Sequence, residues 1–245
     1  MSSCRSCRGP ARGVEACTQR TRQSSGSSGS AATGALTAAV VAGTVATLRS
    51  RALRWGATRA EVDSALPGDD LIVHPGLSAT RAITIRADVA AVWPWVAQLG
   101  QGRGGFYSYD ALENLIGCNI HSADVIVPEW QSIAVGDEIR LHPDGGLQVA
   151  LVDPGRAFVL RGGVPMGTTP PPYDFTWAFV VHDAPGGNAR LLVRERYGYV
   201  KDWAPLLVEP VSLISFLMSR RMLLGIKARA ERPVDVPGEH TASLD

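Results

Sequence analysis

The first regular alternation in the chain falls at residues 80–86, where Ala82, Thr84 and Arg86 alternate with Arg81, Ile83 and Ile85 at the period of a strand. Asp88 then stands at an N-cap position, and Val89, Val92, Trp93, Val96 and Leu99 recur at helical spacing. The pattern predicts a helix up to Gly100, bent but not abolished by Pro94 near its first turn. A second helix is predicted from Ser108 to Ile116, with Tyr109, Leu112, Leu115 and Ile116 facing one way and Gly117 as its stop. From Glu138 the period changes to that of strands, predicted over 138–141, 147–153, 156–161, 174–183 and 189–199. Turn-forming stretches separate them: His142 to Gly146, Asp153 to Gly155, a Pro-rich loop at 165–172 and Ala184 to Asn188. A long apolar helix, beginning at residue 206 or 211 and carrying Val211, Ile214, Phe216, Leu217, Met218, Met222, Leu223 and Ile226, closes the pattern near residue 231. One strand, two helices, about five more strands and one long helix make an α+β arrangement, an antiparallel meander with helices segregated on it.

Before residue 80 the pattern is weaker. Residues 1–30 are rich in Ser, Gly and Arg and too poor in large apolar groups to offset the entropy of ordering, so they read as a disordered basic tail. Residues 232–245 read as a second tail. Residues 31–48 form an uncharged run of 18 residues, at the lower limit for spanning a bilayer. Its Ala, Thr and Gly content leaves two readings of residues 31–54: a weak membrane anchor, or an Ala-rich surface helix or spacer. If it anchors, the arginines at 49, 51, 54 and 59 favour holding the following domain at the inner, cytoplasmic face. In residues 55–79 a short helix starts at Thr58, with Glu61 at capping-box spacing, and the remainder reads as an extended lead-in to a domain over residues 80–231.

The net charge of +1 hides an asymmetry, since residues 1–59 hold nine arginines against Glu15 and sum to +8, leaving −7 for the rest. The folded part therefore has no basic excess with which to neutralise phosphates, and a nucleic-acid partner is disfavoured. Cys4 and Cys7 make one CxxC with no second pair or His pair to complete a zinc site, and Cys118 reads as a small buried hydrophobe; no metal and no cofactor is expected. Reduced thiols fit a cytoplasmic protein.

Candidate chemistry gathers in residues 93–131, WPWVAQLGQGRGGFYSYDALENLIGCNIHSADVIVPEWQ, which mix aromatic rings with polar groups. From it Gln98, Arg103, Tyr107, Tyr109, His121 and Trp130 are candidate ligand contacts; further along the chain Trp177, Glu195 and Tyr197 join them. Arg103 lies between glycines, where a guanidinium reaches either an anionic ligand group or a neighbouring carboxylate such as Asp110 or Glu113. His121 with Asp124, Glu129, Asp110 and Glu113 suits acid–base chemistry or metal ligation, and equally suits a helix start and a braced loop. In the last strand, alternation places Val193, Glu195, Tyr197 and Tyr199 on a face mixed enough to wall a cavity, and Arg194 and Arg196 on a face expected to be solvated. Phe175, Trp177 and Phe179 share a core or cavity face of the preceding strand. No GxSxG, HExxH, Walker-type or EF-hand pattern occurs, and GQGRGG joins two helices rather than a strand and a helix, so no catalytic residue is assigned.

The run WPWVAQLGQGRGGFYSYDALENLIG, followed by IHSADVIVPEWQ, GDEIRL and RLLVRERYGY with its apolar helix, resembles the START-like helix-grip (SRPBCC) superfamily, in its polyketide cyclase/dehydrase and lipid-transport-like branch. The resemblance covers residues 55–231. It implies a curved antiparallel sheet around the C-terminal helix with a hydrophobic cavity between them, often without metal or cofactor. It implies binding or carriage of a hydrophobic small molecule such as a lipid, isoprenoid or polyketide-like aromatic. The alternatives are a cyclase- or dehydratase-like enzyme using the same cavity, and an interaction protein whose interior is filled. The stretch 93–131 is then expected at the cavity rim, and residues 31–48 remain a candidate for membrane association.

Overall fold

The computed structural model describes residues 28–163 and 170–233. Of the tails expected at 1–30 and 232–245, residues 1–27 and 234–245 lie outside the described residues, as does most of the Pro-rich loop. The chain divides at Val45 into two compact units. Helix α1 (Ser28–Leu53) begins within the stretch expected to be disordered, so residues 28–30 are helical. Its Val40, Val41, Val45 and Leu48 are exposed, and no helix among the described residues is long and apolar enough to cross a membrane. The spanning form of the anchor is thus unsupported, because Ala, Thr and Gly dilute the few strongly apolar residues of the run.

The second unit contains a six-stranded antiparallel sheet in the order β1-β6-β5-β4-β3-β2. Its strands are β1 (Leu77–Ile85), β2 (Glu138–His142), β3 (Gly145–Asp153), β4 (Ala157–Gly162), β5 (Tyr173–Ala184) and β6 (Asn188–Tyr199). Each overlaps the stretch where the alternation places it, β1 starting three residues earlier than 80–86, at Leu77. The β5–β6 hairpin closes through Pro185, Gly186 and Gly187, and both glycines take the positive φ, 79° and 72°, that a tight reversal requires. Register shifts in β2 and β3 add bends at that edge of the sheet.

Helix α3 (Val89–Ala97) starts on Asp88, whose side chain accepts from Ala91 N at 2.7 Å, and it continues through Pro94. It packs against α5 (Ala204–Ala230) and against β5 and β6. The sequence placed the start of α5 at 206 or 211; Pro205 instead occupies its first turn, where a missing N–H costs nothing, and Pro210 lies within it. Between α3 and β2 the chain forms α4 (Asp110–Leu115) and long braced loops.

One expectation is corrected at β6: its arginine face is buried, capped by carbonyls of the preceding segment. Helix α2 (Arg59–Asp63) carries the expected capping box, Thr58 Oγ1 accepting from Glu61 N and Thr58 N donating to Glu61 Oε2. The α2 carbonyls of Glu61 and Val62, and that of Ser64, accept from the Arg194 guanidinium, which also meets Asp69. Arg194 is 2% exposed. Arg190 forks onto both oxygens of Glu61 at 2.7 and 2.8 Å, and Arg196 donates to Ile72 O. Alternation reads which residues share a face; it carries no information about a separate segment lying over that face.

Candidate functional site

The inner face of the sheet and one face of α5 enclose a cavity of about 410 Å³. The pairing register builds the sheet wall. Glu195 of β6 stands opposite Trp177 of β5, and Tyr197 opposite Phe175, so these four side chains, with Tyr173, form one patch. The rings pack closely: Phe175 and Tyr197 are 4.6 Å apart between centroids, Tyr173 and Tyr197 5.7 Å, Trp177 and Phe179 4.9 Å. The helix wall comes from positions three or four apart on α5, namely Leu207, Val211, Ser215, Met218 and Met222, with Val208 and Ser219 beside them. Phe106, Ser108, Glu113 and Leu141 complete the lining. Val211 lines the cavity and is also exposed, so the cavity meets solvent there.

A charged group sits within this mostly apolar wall. Glu195 Oε1 accepts from Arg81 at 2.6 Å and from Ser219 Oγ at 2.7 Å, while Oε2 accepts from Ser215 Oγ. Arg81, fully buried, further donates through Nε to Ala52 O at the end of α1. The pair follows from register: Ala79 of β1 is opposite Glu195, which puts Arg81 at the diagonal position on the same face. Sequence reasoning selected Glu195 and missed Arg81, Ser215 and Ser219. The signal available was two serines four residues apart, and so on one face of the closing helix, together with an arginine in the alternation of β1.

Glu113 is the second carboxyl group of the lining. It is 8% exposed, and its Oε2 has no hydrogen-bond partner among the described residues. Burial, reinforced by the neighbouring Asp110 carboxylate, pushes it up to about 7. Trp177 Nε1 is likewise buried without a partner among the described residues. Burial, with the Glu195 charge second, holds the Tyr197 hydroxyl well above its ordinary range, so it stays protonated.

Of the candidates drawn from the sequence, Trp177, Glu195 and Tyr197 therefore share the cavity wall. Those drawn from 93–131 do not reach it; the residues of that stretch that do are Phe106, Ser108 and Glu113. Gln98 is fully buried, donating to Val125 O and accepting from Val127 N, so it ties α3 to the following loop. Arg103 donates to Ala97 O and Trp130 O, which satisfies the carbonyls of neighbouring turns and leaves Trp130 as part of the same brace. Tyr107 is buried between Trp95, at 5.8 Å, and the Arg229 guanidinium, 4.7 Å above its ring. Tyr109 is exposed beside Arg221, and His121 is exposed with Asn119 Oδ1 at 3.2 Å. The His121 set is dispersed: Asp110 accepts from the backbone and side chain of Ser122, and Asp124 pairs with Arg229 and Arg232. Among the described residues no three His, Cys, Asp or Glu side chains converge as a metal site would require.

No family model and no curated protein matches the chain. Among solved structures it is similar to norcoclaurine synthase from Thalictrum flavum, at 13% identity over 64% of this chain and 95% of that one, with a TM-score of 0.39. It is similar to CalU16 from Micromonospora echinospora, at 12% identity over 63% and 83% of the two chains, with a TM-score of 0.31. It is also similar to protein MLL2253 from Mesorhizobium loti, at 13% identity over 64% and 99%, with a TM-score of 0.39. Likeness at this level carries no inference about chemistry. The fold rests on the chain's own geometry: six antiparallel strands in this order, faced by one long C-terminal helix, are the START-like helix-grip fold.

Proposed function

We propose that this domain binds or carries a hydrophobic small molecule in the cavity between the sheet and α5. One observation carries the reading: a cavity of about 410 Å³ with a mostly apolar lining, aromatic on its sheet wall, and a few polar groups that converge on it. That volume is in the range of known ligand pockets, and an interaction protein with a filled interior would not leave it. The aromatic patch of Tyr173, Phe175, Trp177 and Tyr197 suits a flat or cyclic skeleton, since offset ring contacts add to area burial.

Native mass spectrometry of the purified protein, with displacement of a solvatochromic dye, tests the reading. Wild type should retain an apolar ligand or take up the dye, whereas Leu207→Trp with Val211→Trp should lose uptake by at least tenfold while unfolding at a similar temperature. Equal uptake by both proteins would refute the proposal.

The alternative, a cyclase- or dehydratase-like enzyme in the same cavity, is favoured by Glu113, a buried acid poised near neutrality as proton-transfer catalysis requires. Under that reading Glu113→Gln lowers turnover of a bound carbonyl substrate by about 100-fold or more with little change in KM. Unchanged turnover removes Glu113 from the reaction.

A further inference from the structure

The cavity lining is unusual in which polar groups are already satisfied. Both oxygens of Glu195 are engaged, by Arg81, Ser215 and Ser219. Among the described residues that line the cavity there is no Arg, Lys or His. Arg81 Nη2 has no hydrogen-bond partner among the described residues, but Arg81 does not line the cavity. An anionic head group, such as a fatty-acid carboxylate or a phosphate, would therefore enter beside two carboxyl groups with no cation to meet it. In the lining, Trp177 Nε1, which can only donate, and Glu113 Oε2 are buried without a hydrogen-bond partner among the described residues.

We propose that Glu113 is the polar anchor of the cavity, donating a hydrogen bond as a neutral carboxylic acid to the carbonyl oxygen of an uncharged, mainly apolar ligand. The inference rests on the cavity being a ligand site. Trp177 Nε1 supplies a second donor to the same class of ligand, so a molecule with carbonyl acceptors satisfies groups that otherwise stay buried and unpaired. A hydrocarbon of the same shape leaves them as they are.

The surroundings of Glu113 favour the neutral form. Its own helix contributes Asp110, a like charge, and the next loop contributes Cys118, whose thiol burial and Glu113 together hold protonated. Across the cavity β5 and β6 present Tyr173, Tyr197 and the already paired Glu195; α5 presents Ser215, Met218, Ser219 and Met222. Leu141 is the lining residue from β2, and the adjacent His142 lies near Gly117, just past α4. None of the cavity-lining groups among them is a cation that would fix Glu113 as a carboxylate.

The test uses the full-length protein and four probes with one skeleton: naphthyl methyl ketone, ethylnaphthalene, naphthoate and naphthylmethylamine. Dissociation constants are measured at about pH 6 and pH 8 for wild type, Glu113→Gln and Glu113→Leu. The ketone should bind wild type more tightly than ethylnaphthalene, and up to about tenfold more tightly at the lower pH, the limit for a ligand that recognises only the protonated acid. Ethylnaphthalene should show no such dependence, and naphthoate should bind most weakly. Glu113→Gln, whose amide still donates, should keep the ketone preference without the pH dependence; Glu113→Leu should lose the pH dependence and most of the ketone preference, keeping only the part that Trp177 Nε1 supplies. Equal, pH-independent binding of ketone and hydrocarbon by wild type overturns the anchor and leaves the cavity reading standing. Preference for the amine at pH 8 overturns it in favour of a carboxylate. Binding of no probe at either pH defeats the cavity reading itself and the anchor with it.

Discussion

Arg81 and Glu195 show how one pair of residues constrains the whole site. Both are buried, and their mutual attraction with the Ser215 and Ser219 hydroxyls offsets the cost of removing two charges from water. Removing one partner leaves the other uncompensated. Arg81→Met should therefore destabilise the protein by about 3–5 kcal/mol, measured by denaturant unfolding. The double variant Arg81→Met with Glu195→Leu should recover most of that loss. A double variant as unstable as the single one would show that the loss comes from packing rather than charge. Glu113 behaves differently, because its carboxyl lies above the ordinary 4.5, at about 7. Between those values the folded protein holds a proton that the unfolded chain has released, so stability falls as pH rises through this window. The full penalty, about 3 kcal/mol, applies above it. Glu113→Gln should accordingly be more stable than wild type at pH 8 and nearly equal to it at pH 4; a variant less stable at pH 8 would contradict the assignment.

Among the elements, β1, β6 and α5 bring the buried ion pair and the cavity wall together. Helix α5 approaches the 93–131 stretch at Gly225, where an added Cβ would lie 2.3 Å from Tyr107 O and 2.7 Å from Tyr107 Cβ. Tyr107 itself takes a positive φ of 54° and is buried, so neither side of the contact yields easily. Gly225→Ala should cost roughly 1–3 kcal/mol, readable as a lower unfolding temperature. On the outer face, the Arg190 fork beside Glu61 is the main influence holding that carboxyl at about 2, against 4.5 ordinarily. This lowered value stabilises the fold at neutral pH, and the contribution disappears as pH falls from 4.5 through about 2. Glu61→Gln should lose up to about 3 kcal/mol at pH 7, with the difference shrinking toward pH 2 in acid unfolding. The elements were legible in the sequence because strand and helix periods were clean from Thr80 onward. What covers an element was not: Arg194 and Arg196 read as solvated because nothing in β6 reveals α2 and Asp69 lying over them.

On the scale of the molecule, the fold was legible because hydrophobic period and turn chemistry agree along the second unit, whereas the site emerges only when distant elements meet. The density of aromatic and polar residues in 93–131 drew attention to Gln98, Arg103 and Tyr107, whose polarity serves loops and packing. The cavity wall depends instead on strand register and on a helix face assembled from residues 207–222. Polar residues in a buried loop need partners, and composition alone does not separate that need from a site. Occupancy of the space between the sheet and α5 by an apolar ligand is the property on which the proposed function stands. The most direct measurement is a native mass spectrum of the gently purified protein, recorded beside the Leu207→Trp with Val211→Trp variant. An added mass of one small apolar molecule on wild type, or a one-to-one complex with supplied naphthyl methyl ketone that the variant does not form, is the expected result. Bare protein that forms no complex, or equal complex formation by the filled variant, would contradict it.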